Sequence, residues 1–380
     1  MILQSKCIYI DEKIISAQLE IINGKISAIL PFNTLKADID YDDALILPGL
    51  VDIHNHGYLA TDSNHATKDW LNLWSTYLPS EGVTSTLATI STYPYQKLLQ
   101  SLDIIGDYIE AKNFDGAQFL GIYSEGPFIS SKFKGAQNAE NQVIPTIDII
   151  NEMNDHAKYH LIYVMIAPEE LNGNYDVIDY CIRNNITVAL GHTGATYKIA
   201  QEAINHGAKS FTHTFNGMRG LHHREPGTLG CAMYNKNAYC ECIVDGVHVH
   251  PISANILSNI KGKDRFILIT DSVAIKGLPI GHYKDDTREV DICVDGVGRL
   301  KDGTIAGSCN KLNKVLNYAI TDANIDRITA YNAVTINPLR LLNINNKGLI
   351  CNGYDADIVV MDSHHNPIDT YVNGQIKYHI

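Results

Sequence analysis

The chain has 380 residues, 45% hydrophobic and 19% charged, which allows one large domain with a smaller one beside it and excludes a disordered chain. A formal net charge of −12 with no run of Lys or Arg argues against nucleic acid or an anionic membrane as partner. No apolar stretch reaches the roughly 20 residues of a membrane span. Eight scattered cysteines and the absence of an opening signal peptide point to free thiols in a reducing cytoplasm.

Residues 1–47 alternate short apolar runs with turn signals such as Asn23-Gly24, the pattern of small β-strands. Residues 48–344 have about the length of an eightfold α/β barrel. Eight apolar, β-branched runs punctuate this region: Leu47–Ile53, Thr84–Ile90, Phe119–Tyr123, Leu161–Ile166, Ile186–Leu190, Ser210–Phe215, Tyr239–Val244 and Phe266–Ile269. Helical patterns separate them. Tyr95–Lys112 carries apolar residues at Leu98, Leu99, Leu102, Ile105 and Ile109; Thr196 can cap Tyr197–His206; Pro251 suits the first turn of a further helix. Residues 345–380 return to the β pattern, with Asp357–Asp362 and Thr370–Gly374 reading as strands and a hairpin. The expected fold is therefore α/β: a (β/α)8 TIM-like barrel with a small β-sandwich domain built from both chain termini.

Polar residues end several of the apolar runs, and a parallel barrel brings such strand ends to one mouth. His54 and His56 stand at i and i+2, so on an extended strand both side chains reach the same side. With 16 histidines in the chain such a pair also arises by accident, and His248 with His250 is a second one. Glu125 leaves a buried run just before Gly126-Pro127, as an ion ligand or as a turn cap. His192 and His213 likewise end runs, where a lone His can also be a satisfied core residue. Together with a carboxylate they form the nitrogen and oxygen set that zinc or iron accepts. Asp271 ends the eighth run and can serve as base and then acid in hydrolysis. Cys240 and Cys242 share one face of a strand, as core thiols rather than a zinc knuckle.

Eight segments carry a family resemblance over nearly the whole chain. They are Leu-Pro-Gly-Leu-Val-Asp-Ile-His-Asn-His, Ser-Glu-Gly-Pro-Phe, Leu-Gly-His-Thr, Thr-His-Thr-Phe-Asn-Gly-Met, Arg-Glu-Pro-Gly, Asp-Gly-Val-His-Val, Thr-Asp-Ser and Ala-Gly-Ser. The chain resembles the amidohydrolase superfamily and, within it, the deacetylases that act on phosphorylated N-acetyl amino sugars. The resemblance implies a metal-dependent hydrolase that removes acetate from N-acetylglucosamine 6-phosphate, leaving glucosamine 6-phosphate. It implies that Glu125, His192 and His213 hold the main divalent metal, zinc or iron, and that Asp271 is the catalytic acid and base. Members with His-x-His after the first strand can hold a second metal, so His54 and His56 imply two per subunit with Glu125 bridging.

For the substrate, the resemblance implies phosphate contacts from Arg224, whose planar guanidinium makes paired hydrogen bonds, and from the backbone amides of Asn216 and Gly217. His248 would complete the pocket. Arg224 as a surface ion pair and His248 as a packed strand end are the alternatives. Gln137 stands where some relatives carry a His near the sugar, and can donate a hydrogen bond without becoming cationic. Ala306, Gly307 and Ser308 form either a loop over the acetyl group or a turn before a capped helix beginning near Ser308. Similar enzymes pair as homodimers in which the Arg segment can reach the neighbouring site. The competing activities are another amidohydrolase, such as a cyclic amidase or an N-acyl amino acid deacylase, and a non-catalytic relative.

Overall fold

The computed structural model describes residues 1–284 and 289–380. Both chain ends enter one sheet of eight strands. Ile2–Ile10, Lys13–Ile22 and Lys25–Pro31 form an antiparallel meander, and Ile358–Met361, Pro367–Val372 and Gln375–His379 form a second. Leu45–Pro48 joins them, pairing parallel with the first strand and antiparallel with Ile358–Met361. Asn23-Gly24 and Asn373-Gly374 make the two-residue turns, with φ of 49°, 77°, 50° and 70°, the left-handed geometry whose twist matches the flanking strands.

The eight apolar runs of the middle region become eight neighbouring parallel strands in chain order: Leu50–Asp52, Val83–Ile90, Gln118–Ser124, Leu161–Ile166, Thr187–Leu190, Ser210–Phe211, Tyr239–Cys242 and Phe266–Leu268. First and last meet just beyond their C-terminal ends. There the Asp271 N–H donates to the His54 carbonyl at 3.0 Å, the His56 N–H donates to the Ser272 carbonyl at 2.8 Å, and Thr270 Oγ1 donates to Asp52 Oδ2 at 2.6 Å. Helices separate the strands as expected: Tyr95–Ala111, Tyr197–Asn205 with Thr196 Oγ1 accepting from the Ile199 N–H, and Pro251–Arg265 among them.

Because both faces of a barrel strand are buried, alternate residues serve two cores. Val51, Leu87, Tyr163, Ile243 and Ile267 fill the interior, while Val83, Val164, Cys240 and Cys242 meet the helices. The helix Ile336–Leu341 closes the end where the strands begin. Its Leu339 and Leu341 join the interior cluster, and its Asn337 Nδ2 donates to the carbonyl of Phe266, the first residue of the last strand.

Three expectations are corrected. Leu47–Ile53 is not one strand: it divides at Gly49 between the terminal sheet and the barrel. A Cβ there would sit 2.2 Å from Thr84 Oγ1, so the crossing point has room only for Gly. The sixth strand stops at Phe211, because the chain turns at His213 rather than continuing to Phe215. Ala306, Gly307 and Ser308 are neither a loop nor the prelude to a helix at Ser308. They lie in the strand Ile305–Ser308 of a further antiparallel sheet with Gly281–Lys284, Glu289–Ile292 and Val297–Arg299, and the next helix begins at Leu312.

Candidate active site

The C-terminal strand ends surround a cavity of about 330 Å³. His56, Glu125, Gln137, His192, His213, Asn216, Gly217, His248, Asp271, Ala306 and Gly307 line it. Three of these leave their strands in the left-handed region, His192 at φ 41°, His213 at 27° and Asp271 at 46°. Such backbone costs on the order of 1–3 kcal/mol per non-glycine residue, and it persists where surrounding bonds over-determine it. Here the Asn216 N–H returns to the His213 carbonyl at 2.9 Å, and the Thr214 N–H to the Glu241 carbonyl at 2.7 Å. Gly217, at φ 57°, has no side chain to crowd the rings: a Cβ would lie 3.1 Å from His192 Nδ1.

The ligating atoms fall into two groups that share one carboxylate. Glu125, His192 and His213 form the first, and His54, His56, Glu125 and Asp271 the second. Glu125 Oε1 is 3.0 Å from His192 Nε2 and 2.9 Å from His213 Nε2, and those two nitrogens are 3.2 Å apart. Its Oε2 is 3.4 Å from His56 Nε2. In the second group Asp271 Oδ1 lies 3.3 Å from His54 Nε2 and 3.2 Å from His56 Nε2, with 3.3 Å between the nitrogens.

Hydrogen bonds from the far side of the rings fix which nitrogen faces inward. His192 Nδ1 meets the Phe133 carbonyl at 2.8 Å, His213 Nδ1 the Asn216 carbonyl at 3.1 Å, and His54 Nδ1 the Glu241 carboxylate at 3.1 Å. Each Nδ1 is then the donor, so in the neutral ring the lone pair lies on Nε2. Lone pairs on two nitrogens 3.2 Å apart repel unless a cation lies between them. The donor set of imidazole nitrogens and carboxylate oxygens therefore fits divalent ions, with zinc among them.

The electrostatics favour positive charge at the same place. Burial alone pushes the Glu125 carboxyl up, but the facing imidazoles of His192, His213 and His56 hold it well below the usual carboxylate range. Asp271, also pushed up by burial, is held down at about 2 by His54 and His56. Burial lowers His54, yet Asp271, Glu241 and Glu125 outweigh it and raise the ring to about 10. Without an ion the cluster draws in a proton; a metal cation supplies the same charge.

The remaining sequence candidates divide. Asn216 and His248 line the cavity, each with one buried polar atom, Asn216 Nδ2 and His248 Nε2, that has no partner. His248 is oriented from behind, where its Nδ1 donates to Asp245 Oδ2 at 2.7 Å. Gln137 lines the cavity but turns its amide to the ligand rather than to open space: Nε2 donates to Glu125 Oε2 at 2.9 Å, and Oε1 accepts from the Thr92 N–H at 2.8 Å. Ala306 and Gly307 line the wall, whereas the buried Ser308 Oγ donates to the Thr270 carbonyl. Arg224 is exposed on a loop outside the cavity of its own chain, its Nη1 beside His223 Nε2. Sequence reasoning missed Asp245, Thr92 and Glu241. Glu241 left a visible signal, a carboxylate inside the apolar run Tyr-Cys-Glu-Cys-Ile-Val, and Asp245 opens the segment Asp-Gly-Val-His-Val that carries His248.

The family model for the amidohydrolase family matches residues 45–377. The chain belongs to the amidohydrolase family. This amidohydrolase is 34% identical over 339 residues to N-acetylglucosamine-6-phosphate deacetylase of Bacillus subtilis, covering 88% of this chain and 85% of the relative. It is 32% identical to N-acetylgalactosamine-6-phosphate deacetylase of Escherichia coli O157:H7, covering 94% of each. A solved structure of N-acetyl-D-glucosamine-6-phosphate deacetylase from Mycobacterium smegmatis, in complex with N-acetyl-D-glucosamine-6-phosphate, superposes with a TM-score of 0.93 at 28% identity over 99% of both chains.

Proposed function

We propose that this amidohydrolase removes acetate from N-acetylglucosamine 6-phosphate, leaving glucosamine 6-phosphate. The observation that carries the reading is the pair of ligand groups sharing Glu125 beside the Asp271 carboxylate, at the wall of a sugar-sized cavity. The deacetylase relatives support the choice of substrate. Glu125, His192 and His213 would hold one divalent ion, zinc or iron, and His54 and His56 would hold a second, with Glu125 between them.

A bound divalent cation lowers the pKa of its water to about 7 and polarises the acyl carbonyl. Asp271 Oδ1 accepts the proton of the attacking water, so oxygen adds to the acetyl carbon as hydroxide. The carboxyl then returns that proton to the nitrogen as the C–N bond breaks, and the products are acetate and a free amine. The His248 imidazole, whose Nδ1 donates to Asp245, turns its Nε2 lone pair to the cavity and would accept from a sugar hydroxyl. Ala306 and Gly307 would face the acetyl end, and Ser308 would hold that strand to Thr270. Asn216 and Gly217 would receive the phosphate end, and Gln137, its amide held by Glu125 and Thr92, would line the wall beside the sugar.

The exposure of Arg224 supports a homodimer in which it reaches the phosphate of the neighbouring cavity. Free cysteines throughout the described residues support a reducing cytoplasmic setting. The same reading divides the chain into a catalytic barrel of residues 48–344 and a small β-domain of 1–47 with 345–380. The test is acetate release from N-acetylglucosamine 6-phosphate, N-acetylgalactosamine 6-phosphate, unphosphorylated N-acetylglucosamine and an N-acyl amino acid. Preference for a phosphorylated hexosamine is expected. Equal rates with and without phosphate would overturn the phosphate pocket, and preference for the amino acid would favour the deacylase reading.

A further inference from the structure

Glu241 has no part in the reaction just described, yet it is a fully buried carboxylate directly beneath the two ligand groups. It stands in the middle of the strand Tyr239–Cys242. The two-residue period of a strand turns Cys240 and Cys242 outward to the helices and Glu241 inward. Its Oε2 accepts from His54 Nδ1 at 3.1 Å and from the His213 N–H at 3.3 Å, and its Oε1 accepts from the Tyr163 hydroxyl at 2.7 Å. Three donors of three different elements thus converge on one side chain.

A carboxylate withdrawn from water needs hydrogen bonds and positive charge close by. The hydrogen bonds are present. Among the described residues, however, no Lys or Arg forms an ion pair with Glu241; its charge partner is His54. Positive charge therefore reaches it only through that ring, or through whatever the ring holds on its other nitrogen.

The ring anchors are unequal. His192 and His213 are each fixed by a neutral backbone carbonyl, whereas His54 is fixed by a carboxylate. A carboxylate behind an imidazole settles its tautomer and raises the basicity of the opposite nitrogen. That nitrogen, His54 Nε2, faces His56 Nε2 and Asp271 Oδ1 in the second group.

We propose that Glu241 is the positioning residue that makes His54 a ligand and so builds the second ion position, while its contact with the His213 backbone ties that position to the first. The proposal rests on the two-ion reading above. It also explains why a charged residue occupies a strand position that otherwise calls for an apolar one.

The test is a titration of metal-free protein with Zn2+ against a chromophoric competitor, for the wild type and Glu241→Gln, which keeps the shape and removes the charge. The wild type should take two Zn2+ per chain. The variant should keep the first with little change and bind the second about 10- to 100-fold more weakly, the range seen when partners behind a metal ligand are removed. Two ions bound by the variant with wild-type affinities would overturn this inference alone. A wild type that takes fewer than two would overturn the two-ion reading and the inference with it. A second measurement needs no folded Glu241 variant: histidine 15N spectra of the Zn2+-loaded wild type, with the His54 signals identified by their loss in His54→Gln. A proton on His54 Nδ1 supports the proposal, and a proton on Nε2 overturns it.

Discussion

The two ends of the barrel are built from opposite materials. Where the strands begin, Leu339, Leu341 and Leu342 pack into the interior with Ile267 and Val51, and Asn337 Nδ2 donates to the Lys263 and Phe266 carbonyls. Where the strands finish, imidazoles and carboxylates face one another at 2.9 to 3.6 Å, and three of the residues that carry them have left-handed backbone. One end gains free energy from apolar burial, while the other holds strain and uncompensated lone pairs that a cation relieves. The contrast teaches that stability and chemistry can be altered separately in this chain, and each substitution below tests that separation.

The largest effect is expected at the mouth. Asp271→Asn keeps the shape but cannot take a proton, so kcat should fall by about 10²- to 10⁴-fold, the usual contribution of a positioned acid or base. Tm and the ion held by Glu125, His192 and His213 should stay near wild type; near-normal turnover with that ion retained would remove Asp271 from the proton path. At the opposite end, Leu341→Ala opens a cavity in the closing helix and should lower stability by about 2–5 kcal/mol in urea unfolding. Its kcat/KM per folded molecule should not change, and a loss there would couple the two ends.

Asp245→Asn leaves His248 without its charged partner. The loss of a hydrogen bond to a charged group, about 1.5–3 kcal/mol, should appear as roughly a 10- to 100-fold fall in kcat/KM with little change in Tm. Arg224→Gln is the mildest. On an exposed loop it should move stability by no more than about 0.5 kcal/mol. It should raise KM for the phosphorylated sugar while leaving the unphosphorylated one untouched; equal effects on both would place Arg224 outside phosphate binding.

The sequence made one end of the barrel more legible than the other. Strands such as Leu161–Ile166 were readable because both faces are buried and their apolar runs are continuous. His192, His213 and Asp271 were readable because each interrupts apolar character just as a strand stops. The division at Gly49 was not, since Leu-Ile-Leu-Pro-Gly-Leu-Val-Asp-Ile is apolar throughout and only contact with Thr84 reveals the crossing. The sheet containing Ile305–Ser308 escaped because its strands are three or four residues long and partly exposed. Glu241 was visible as a charge in an apolar run, but its partners His54 and Tyr163 lie 187 and 78 residues away. Arg224 could be picked out by its motif, but its place on an exposed loop outside its own chain's cavity could not.

The most direct test of the account is acetate release from N-acetylglucosamine 6-phosphate by protein stripped of metal and then reloaded with zinc or ferrous iron. Activity should vanish on stripping and return on reloading. Full activity in metal-free protein, or none after two ions are bound, would contradict the assignment of the mouth as a metal-dependent deacetylase site.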